Sequence, residues 1–139
     1  MLSDQAAATH FPPKRVLVVD DNESSALTLT WAMEMFGYDV RTCYDGLSAV
    51  RVAHDFHPEV VLLDIGMPAM DGLEVCRRLR ADPELSGATV VAQTGWGDRD
   101  MRRQTSAAGF DHHLTKPIDL PALLTLLNPA HALPQPKNI

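Results

Sequence analysis

The side chains in this sequence that could do phosphate or metal chemistry stand directly after apolar runs. They are three carboxylates, one hydroxyl and one ammonium group: Asp20, Asp21, Asp64, Thr94 and Lys116. The runs before Asp20 and Asp64 are continuously apolar and rich in valine, as in strands that are buried on both faces within a parallel sheet. Because open α/β sheets bind ligands at the carboxyl ends of their strands, these residues are site candidates.

Three carboxylates at one sheet edge repel one another unless a cation lies among them. Mg²⁺ suits that position, since it takes oxygen ligands and needs few of them from the protein. Thr94 and Lys116 both donate to anionic oxygens, so together with the metal they would surround a phosphoryl group. A carboxylate can attack phosphorus to form an acyl phosphate, and we expect Asp64 to be that nucleophile because it ends the central strand. The competing interpretation is that Asp64 only caps a turn.

The composition predicts one folded domain that does not bind nucleic acid directly. The chain has 139 residues, of which 45% are hydrophobic and 22% are charged, as in ordinary globular domains. The formal net charge of -6 disfavours attraction to nucleic acid and to anionic membranes. No apolar run approaches the roughly 20 residues that span a bilayer, and the N-terminus lacks a secretion signal. We therefore expect a cytoplasmic protein without a membrane partner.

The order of elements predicts an α/β fold. Five repeats of a strand followed by a helix occupy residues 14–127, so we expect a doubly wound, five-stranded parallel sheet with five helices on its two faces. Residues 1–13 and 128–139 contain prolines and no periodicity, and are expected to be a flexible leader and a flexible tail.

The first helix should begin at a cap formed by Asn22 or Ser24 and end near Phe36, before Gly37. Its inward face is predicted to consist of Ala26, Leu29, Met33 and Phe36. A second apolar row repeats every four residues and comprises Leu27, Trp31 and Met35. This row indicates either an unusually wide buried face or a docking surface for another helix.

Further expectations concern the second and third helices and the cysteines. Leu47, Val50, Val52 and Ala53 should build the second helix, and Asp71 should cap a third helix whose arginines, Arg77, Arg78 and Arg80, point outward. Cys43 and Cys76 are expected in or near the core rather than in a disulfide or zinc site. His54 and His57 have a spacing compatible with metal binding, but nothing else completes a ligand set, so solvated histidines at the helix end are expected.

In combination, the motifs resemble the receiver domain of two-component response regulators, a member of the CheY-like superfamily. The motifs are Asp20-Asp21 after the first strand, Asp-x-x-Met-Pro-x-Met-Asp-Gly from Asp64 to Gly72, Thr94-Gly95 after the fourth strand and Lys116-Pro117 after the fifth. The resemblance covers about Lys14 to Leu127. It implies a flavodoxin-like sheet with strand order 2-1-3-4-5.

The resemblance also implies a function. Asp64 would accept a phosphoryl group from a histidine kinase or a histidine-phosphotransfer protein, and the domain would then change conformation to control a downstream protein. Such a domain is a phosphoacceptor rather than an enzyme, although it assists its own phosphorylation and dephosphorylation. It could be a free-standing regulator in a phosphorelay or the terminal receiver of a hybrid histidine kinase, and the row Leu27, Trp31, Met35 would suit the phosphodonor in either arrangement.

By the same resemblance, Mg²⁺ would be bound directly by Asp21, Asp64 and the backbone carbonyl of Gly66, and by Asp20 through water. The groups implied to contact the phosphoryl oxygens are the side chains of Lys116 and Thr94 and the backbone of Gly66 and Gly95.

The sequence departs from the family pattern at the switch. Movement of Thr94 is normally coupled to an aromatic residue three positions before the lysine, and here that residue is His113. Because imidazole titrates near neutral pH, we predict weaker or pH-dependent switching. Gly66 and Trp96 occupy positions that resemble the family's tuners of acyl-phosphate lifetime, and a bulky indole beside the site predicts slow self-hydrolysis.

Two other functional classes fit less well. A flavin-binding electron carrier of similar topology is disfavoured by the acidic loop after the first strand, which would repel a bare phosphate. A phosphatase with an aspartyl nucleophile normally has a second carboxylate two residues later as general acid. That position is Gly66, which cannot transfer a proton.

Overall fold

The computed structural model describes residues 14–95 and 99–127, and over these residues the chain alternates between five strands and five helices. The strands are β1 (Arg15–Val19), β2 (Asp39–Cys43), β3 (Val60–Asp64), β4 (Thr89–Thr94) and β5 (His112–Thr115). The helices are α1 (Glu23–Met35), α2 (Gly46–Phe56), α3 (Gly72–Ala81), α4 (Arg99–Ala108) and α5 (Leu120–Leu127). The expected leader and tail, and Trp96, lie outside the described residues.

The strands form one parallel sheet in the order β2-β1-β3-β4-β5. This confirms the predicted doubly wound, flavodoxin-like α/β fold. Every residue of β3 is buried, whereas β2 alternates between exposed and partly buried positions until Cys43. The carboxyl ends of β1, β3, β4 and β5 therefore lie side by side at one edge of the sheet.

Two apolar layers cover the sheet. On one face Leu17, Val19, Val61 and Leu63 pack with buried residues of α2 and α3, among them Ala53 and Leu79. On the other face the alternate strand residues Val16, Val18, Val60 and Leu62 pack with buried residues of α1 and α5, including Met33 and Leu123. Such alternation along each strand requires apolar residues at every position, which explains the continuous apolar runs in the sequence.

Three helices begin at the caps that the sequence allows. Asn22, Asp45 and Asp71 each accept a hydrogen bond from the backbone N–H three residues later. Asn22 rather than Ser24 is thus the cap of α1, and the expected cap of α3 at Asp71 is confirmed. Each cap satisfies a backbone donor that the helix itself cannot use.

The inward face of α1 differs from the prediction at two positions. Phe36 is 46% exposed, because the helix ends at Met35 and Phe36 caps it outside the helical periodicity. Thr30 is buried instead, and its Oγ1 lies 2.8 Å from Oγ1 of Thr42 on β2. A threonine was not expected in the core, but this hydrogen bond satisfies its hydroxyl.

The second apolar row of α1 faces solvent. Trp31 is 60% exposed and Met35 is 85% exposed, while Leu27 is half-buried. The interpretation of a wide buried face is therefore wrong. Leu47 on α2 is also exposed, and Ala49, Ala53 and Phe56 form the buried side of that helix.

Arg80 does not point outward, contrary to the prediction. Its guanidinium donates to the backbone oxygens of Gly109 and Ala88 at 2.9 and 2.6 Å, and it pairs with Asp111 at 2.7 Å. Asp111 also accepts from the N–H of Val90. Arg80 thus joins α3 to the segments that precede β4 and β5, while Arg77 and Arg78 are exposed as expected.

The remaining expectations on single residues agree with the structure. Cys43 and Cys76 are buried free thiols. His54 and His57 are largely exposed, and each lies beside a carboxylate, Asp82 at 3.4 Å and Glu84 at 2.8 Å. Within residues 14–95 and 99–127, no helix has the length and apolar character needed to cross a bilayer.

Candidate functional site

The carboxyl edge of the sheet brings together an acidic pair and a lysine that are distant in the sequence. Asp20 follows β1, Asp64 ends β3, and Lys116 follows β5. Nζ of Lys116 lies 3.0 Å from Oδ2 of Asp20 and 3.7 Å from Oδ2 of Asp64. Both carboxylates are almost fully buried, whereas Lys116 is partly buried. The arrangement leaves one cation between two anions.

A third carboxylate completes the cluster. Asp20, Asp21 and Asp64 each offer an oxygen, and these oxygens all lie within 4.8 Å of one another. Asp21 is exposed, so a bound ion would keep contact with solvent on that side. Oxygen ligands on a partly open site fit Mg²⁺, which retains several water molecules when it binds. The structure thus brings together all three predicted metal-binding carboxylates.

The pKa of Asp64 reflects its position among these charges. Burial raises the pKa of the Asp64 carboxyl to about 6, and the negative charge of Asp20 adds to the increase. The N–H of Gly66, which donates to Oδ1 of Asp64 at 3.1 Å, and the charge of Lys116 oppose it. A carboxylate that loses solvent without full compensation favours the neutral form, and it gains most from a neighbouring cation.

The alternative interpretation of Asp64, that it only caps a turn, is correct in part. The side chain of Asp64 does stabilise the turn after β3 through this bond. Its Oδ2 nevertheless faces Lys116, so one carboxylate serves both the turn and the acidic cluster.

The predicted phosphoryl-binding glycines lie in open surroundings. A Cβ placed on Gly66 would approach only Oδ1 of Asp64, at 4.0 Å, and a Cβ on Gly95 would meet no atom within 4 Å. Both residues are exposed. Steric crowding therefore does not require glycine at either position.

Gly72 is a residue whose role the sequence did not reveal. A Cβ at this position would lie 2.4 Å from the backbone oxygen of Asp64, a distance that no side chain tolerates. Gly72 also donates its N–H to the oxygen of Ile65 at 3.1 Å. The first turn of α3 thus packs directly against the backbone that carries Asp64, and the Asp-Gly pair at its start is the signal that could have indicated this.

The predicted switch residues lie on neighbouring strands. Thr94 is buried at the end of β4, and its backbone oxygen accepts from the N–H of Lys116 at 2.8 Å. His113 is half-buried on β5, and its Nδ1 lies 3.2 Å from Oγ1 of Thr105 on α4. Because Thr105 donates its proton to the oxygen of Arg102, Nδ1 of His113 is the donor toward Thr105.

The predicted docking row lies beside this site. α1 begins just after Asp21 and Asn22 and runs away from the sheet edge. At a rise of about 1.5 Å per residue, Leu27, Trp31 and Met35 stand roughly 6, 12 and 18 Å along the helix from Glu23. The row therefore begins near the acidic cluster and runs along α1 away from it.

A cavity of about 640 Å³ opens next to the cluster, and sequence reasoning did not anticipate it. It lies between α1 and the segment that joins β5 to α5. Its lining includes Asp20, Lys116, Gln93, the hydroxyl residues Ser24, Ser25 and Thr28, and the apolar residues Leu29, Ile118 and Leu120.

Comparison with known proteins agrees with these observations. The response regulator PleD of Caulobacter vibrioides is 41% identical over 105 residues, which are 76% of this chain and 23% of PleD. The transcriptional regulator RpaA of Synechocystis is 33% identical over 87% of this chain and 52% of its own length. The chain thus spans about half of the length of RpaA and about a quarter of the length of PleD. The polar-differentiation response regulator DivK of Brucella ovis is 32% identical over 80% of this chain and 90% of DivK.

Solved structures show the same fold. The chemotaxis protein CheY4 of Vibrio cholerae has a TM-score of 0.80 at 26% identity, covering 87% of this chain and 99% of CheY4. A response regulator from Burkholderia pseudomallei, solved with a phosphorylated aspartic acid, a calcium ion and citrate, has a TM-score of 0.75 at 28% identity and covers 88% of this chain and 67% of its own. Residues 16–128 match the family described as the response regulator receiver domain. With the sheet order, the acidic cluster and the lysine already described, this match establishes that the chain belongs to the receiver domains of two-component response regulators.

Proposed function

We propose that this receiver domain accepts a phosphoryl group on Asp64, with Mg²⁺ bound by its acidic cluster. The observation that carries the proposal is the placement of the buried Asp64 carboxylate beside Lys116 and within one ligand sphere of Asp20 and Asp21. The Burkholderia structure supports the proposal, because it contains a phosphorylated aspartic acid and a divalent cation, the two features that are proposed for this site.

Asp21, Asp64 and the carbonyl of Gly66 would hold the metal directly, with Asp20 acting through water. Bound there, Mg²⁺ would neutralise charge on the carboxylates and on the phosphoryl oxygens. An oxygen of Asp64 forms the bond to phosphorus as the bond from phosphorus to the donor imidazole nitrogen breaks, and the electron pair of that bond returns to the imidazole. The ammonium of Lys116, the hydroxyl of Thr94 and the N–H groups of Gly66 and Gly95 would donate to the phosphoryl oxygens.

The direct test is incubation of the chain with Mg²⁺ and a small phosphodonor such as acetyl phosphate. Intact mass should show one added phosphoryl group, and peptide mapping should place it on Asp64. The Asp64→Asn variant should gain none. A phosphoryl group on another residue, or equal uptake by the variant, would contradict the proposal.

The phosphodonor is proposed to be a histidine kinase or a histidine-phosphotransfer protein that meets the domain in the cytoplasm. The row Leu27, Trp31, Met35 supports a helix-docking role, because two of its large apolar side chains, Trp31 and Met35, are exposed, as is typical of interface anchors. A free-standing regulator and the terminal receiver of a hybrid kinase would use the same surface, and the downstream target would be a protein rather than nucleic acid or membrane.

Docking through this row predicts a selective loss of transfer. The double variant Trp31→Ala, Met35→Ala should slow phosphotransfer from a purified, autophosphorylated histidine kinase by about tenfold or more. Its phosphorylation by acetyl phosphate should be unchanged, since that donor needs no docking. Leu47→Ala removes an exposed apolar side chain from α2 and should leave both rates unchanged. Equal transfer by the double variant and the wild type would refute this role.

The switch is proposed to run from Thr94 to His113. The hydrogen bond between His113 and Thr105 on α4 supports a path from the site to that helix. Because an imidazole on this path can take up a proton near neutral pH, the amide NMR shifts that follow phosphorylation should differ between pH 6 and pH 8. Replacing His113 with Phe should remove the difference, and equal shifts at both pH values in the wild type would exclude the idea.

A further inference from the structure

Gln93 is a polar residue placed beside the phosphoacceptor. It stands on β4 in register with Asp64 on β3. Val91 and Leu62, two residues before Gln93 and Asp64, belong to the same apolar layer. Because side chains alternate along a strand, Gln93 and Asp64 also share one face of the sheet and are neighbours across it.

The carboxamide of Gln93 has a buried N–H donor without a hydrogen-bond acceptor among the described residues. Gln93 is only 3% exposed, and its Nε2 has no hydrogen-bond partner among the residues that the structure describes. The residue lines the cavity of about 640 Å³ that Asp20 and Lys116 also line. Buried amide donors are normally satisfied. This cavity has room for several water molecules, and its lining includes the polar side chains of Asp20 and Lys116, so a water held there can supply the acceptor.

We propose that Gln93 is a positioning residue that shortens the lifetime of the phosphorylated state, by donating to a water that in turn donates to the Asp64 carboxyl group. The inference rests on the proposed acceptor role of Asp64. Gln93 lies on the strand beside the carboxylate, and not across the phosphoryl group from it, so it acts on the leaving group and not on the attacking water.

The charge that develops on Asp64 during hydrolysis explains why a donor from Gln93 would shorten the lifetime of the phosphorylated state. The oxygen of an attacking water forms a bond to phosphorus while the bond between phosphorus and the Asp64 oxygen breaks. The electron pair of that bond returns to the carboxylate, and both protons of the water leave with the phosphate. A donor aimed at the carboxyl group stabilises the charge that appears there, so it speeds release. The same donor stabilises the free carboxylate and slows its attack on a phosphodonor.

The test compares two substitutions with opposite structural effects. Gln93→Met keeps the length of the side chain and removes the donor, so it should raise the melting temperature and lengthen the half-life of the phosphorylated protein. Gln93→Asn keeps a donor but leaves a gap, so it should lower the melting temperature and leave the half-life close to that of the wild type. A purely structural role would not separate the two readouts in this way.

The measurement is decay of phosphorylated protein by intact mass, after loading with acetyl phosphate and Mg²⁺ and removal of the donor. We expect Gln93→Met to extend the half-life about fivefold, which is the effect on a rate of losing one hydrogen bond of typical net strength. The rate of phosphorylation by acetyl phosphate should not fall. Thr28→Val, which removes a hydroxyl from the α1 side of the same cavity, should change the half-life less than about twofold.

Three results would overturn the inference: an unchanged half-life in Gln93→Met, an equal change in Thr28→Val, or a half-life in Gln93→Asn as long as that of Gln93→Met. Should Gln93→Met fail to fold, Gln93→Leu makes the same comparison. Failure of the wild type to take up a phosphoryl group would instead refute the acceptor role of Asp64, so the two failures are distinguishable.

Discussion

Replacing Asp64 with asparagine should stabilise the fold at neutral pH while abolishing phosphoryl uptake. Burial raises the pKa of Asp64 from 3.8 to about 6, which means that the folded protein is strained by the ionised carboxylate. One pKa unit corresponds to about 1.4 kcal/mol, so the ionised carboxylate costs at most about 3 kcal/mol of unfolding free energy. Asparagine removes that charge and keeps the shape of the side chain.

The cost depends on pH in a defined direction. Below pH 3.8 the carboxyl is protonated in both states, and no penalty exists. As the pH rises from there to about 6, the folded state keeps a proton that the unfolded state has lost, and the unfolding free energy contributed by Asp64 falls. Above that range the full penalty is present. The advantage of Asp64→Asn should therefore grow between acidic and neutral pH and stay constant above it.

Urea unfolding at about pH 4 and about pH 7.5, with and without Mg²⁺, measures this difference. Without metal, Asp64→Asn should be more stable than the wild type by about 2 kcal/mol at the higher pH and by much less at the lower one. Mg²⁺ should stabilise the wild type more than the variant. It would offset the repulsion between Asp64 and Asp20 in the wild type, and asparagine carries no charge to offset.

Asp45 provides the control for this experiment. Hydrogen bonds from the backbone and side chain of Ser48 lower the pKa of the Asp45 carboxyl, so its charge is stabilising in the folded state. Asp45→Asn should reduce stability at neutral pH, the opposite sign. If Asp64→Asn were no more stable than the wild type at about pH 7.5, or if its advantage were the same at both pH values, the assigned electrostatic strain would be wrong.

Three further predictions address structural support and phosphoryl lifetime. Arg80→Met should lower the unfolding free energy by about 2 kcal/mol, because it deletes charge-assisted hydrogen bonds made by a side chain that is only 22% exposed. Arg77→Met on the exposed face should cost less than about 0.5 kcal/mol in the same urea titration. Gly72→Ala should destabilise by about 3 kcal/mol through its clash with the backbone of Asp64, with Gly87→Ala, which meets no atom within 4 Å, as the matched control. Trp96→Ala should shorten the lifetime of the phosphorylated protein measured by intact mass, and an unchanged lifetime would remove the expected shielding by the indole.

The sheet and the acidic cluster were predictable because each depends on a repeated local signal. A strand that is buried on both faces must be apolar at every position, so β1 and β3 are visible in the sequence. Each helix returns the chain to the starting edge of the sheet, so all strands run parallel and their carboxyl ends lie at one edge. Once that edge is known, Asp20, Asp64 and Lys116 converge without any knowledge of side-chain geometry.

The errors occurred where a side chain depends on partners from distant elements. Helical spacing predicts that Arg80 lies on the outer face of α3, and spacing cannot reveal that the oxygens of Ala88 and Gly109 lie within its reach. Phe36 would face inward only in a helix that continued to residue 36, and α1 ends at Met35. The sequence around Gln93 does not indicate a functional role, because a single amide in an apolar run gives no sign of the cavity beside it.

Under the proposed acceptor role of Asp64, the position of Lys116 would connect uptake of a phosphoryl group to β5 and α4. Its ammonium is divided between Asp20 at 3.0 Å and Asp64 at 3.7 Å, so an arriving dianionic group on Asp64 would compete with Asp20 for it. Its backbone N–H is fixed to the oxygen of Thr94, which couples the ends of β4 and β5. Two residues before the end of β5, His113 contacts Thr105 on α4, and within the described part of that helix only Thr105 and Ala108 are buried. A helix with so little buried surface needs little free energy to shift. A redistribution of charge at Lys116 would therefore be expected to move α4 before it disturbs the apolar layers on the two faces of the sheet.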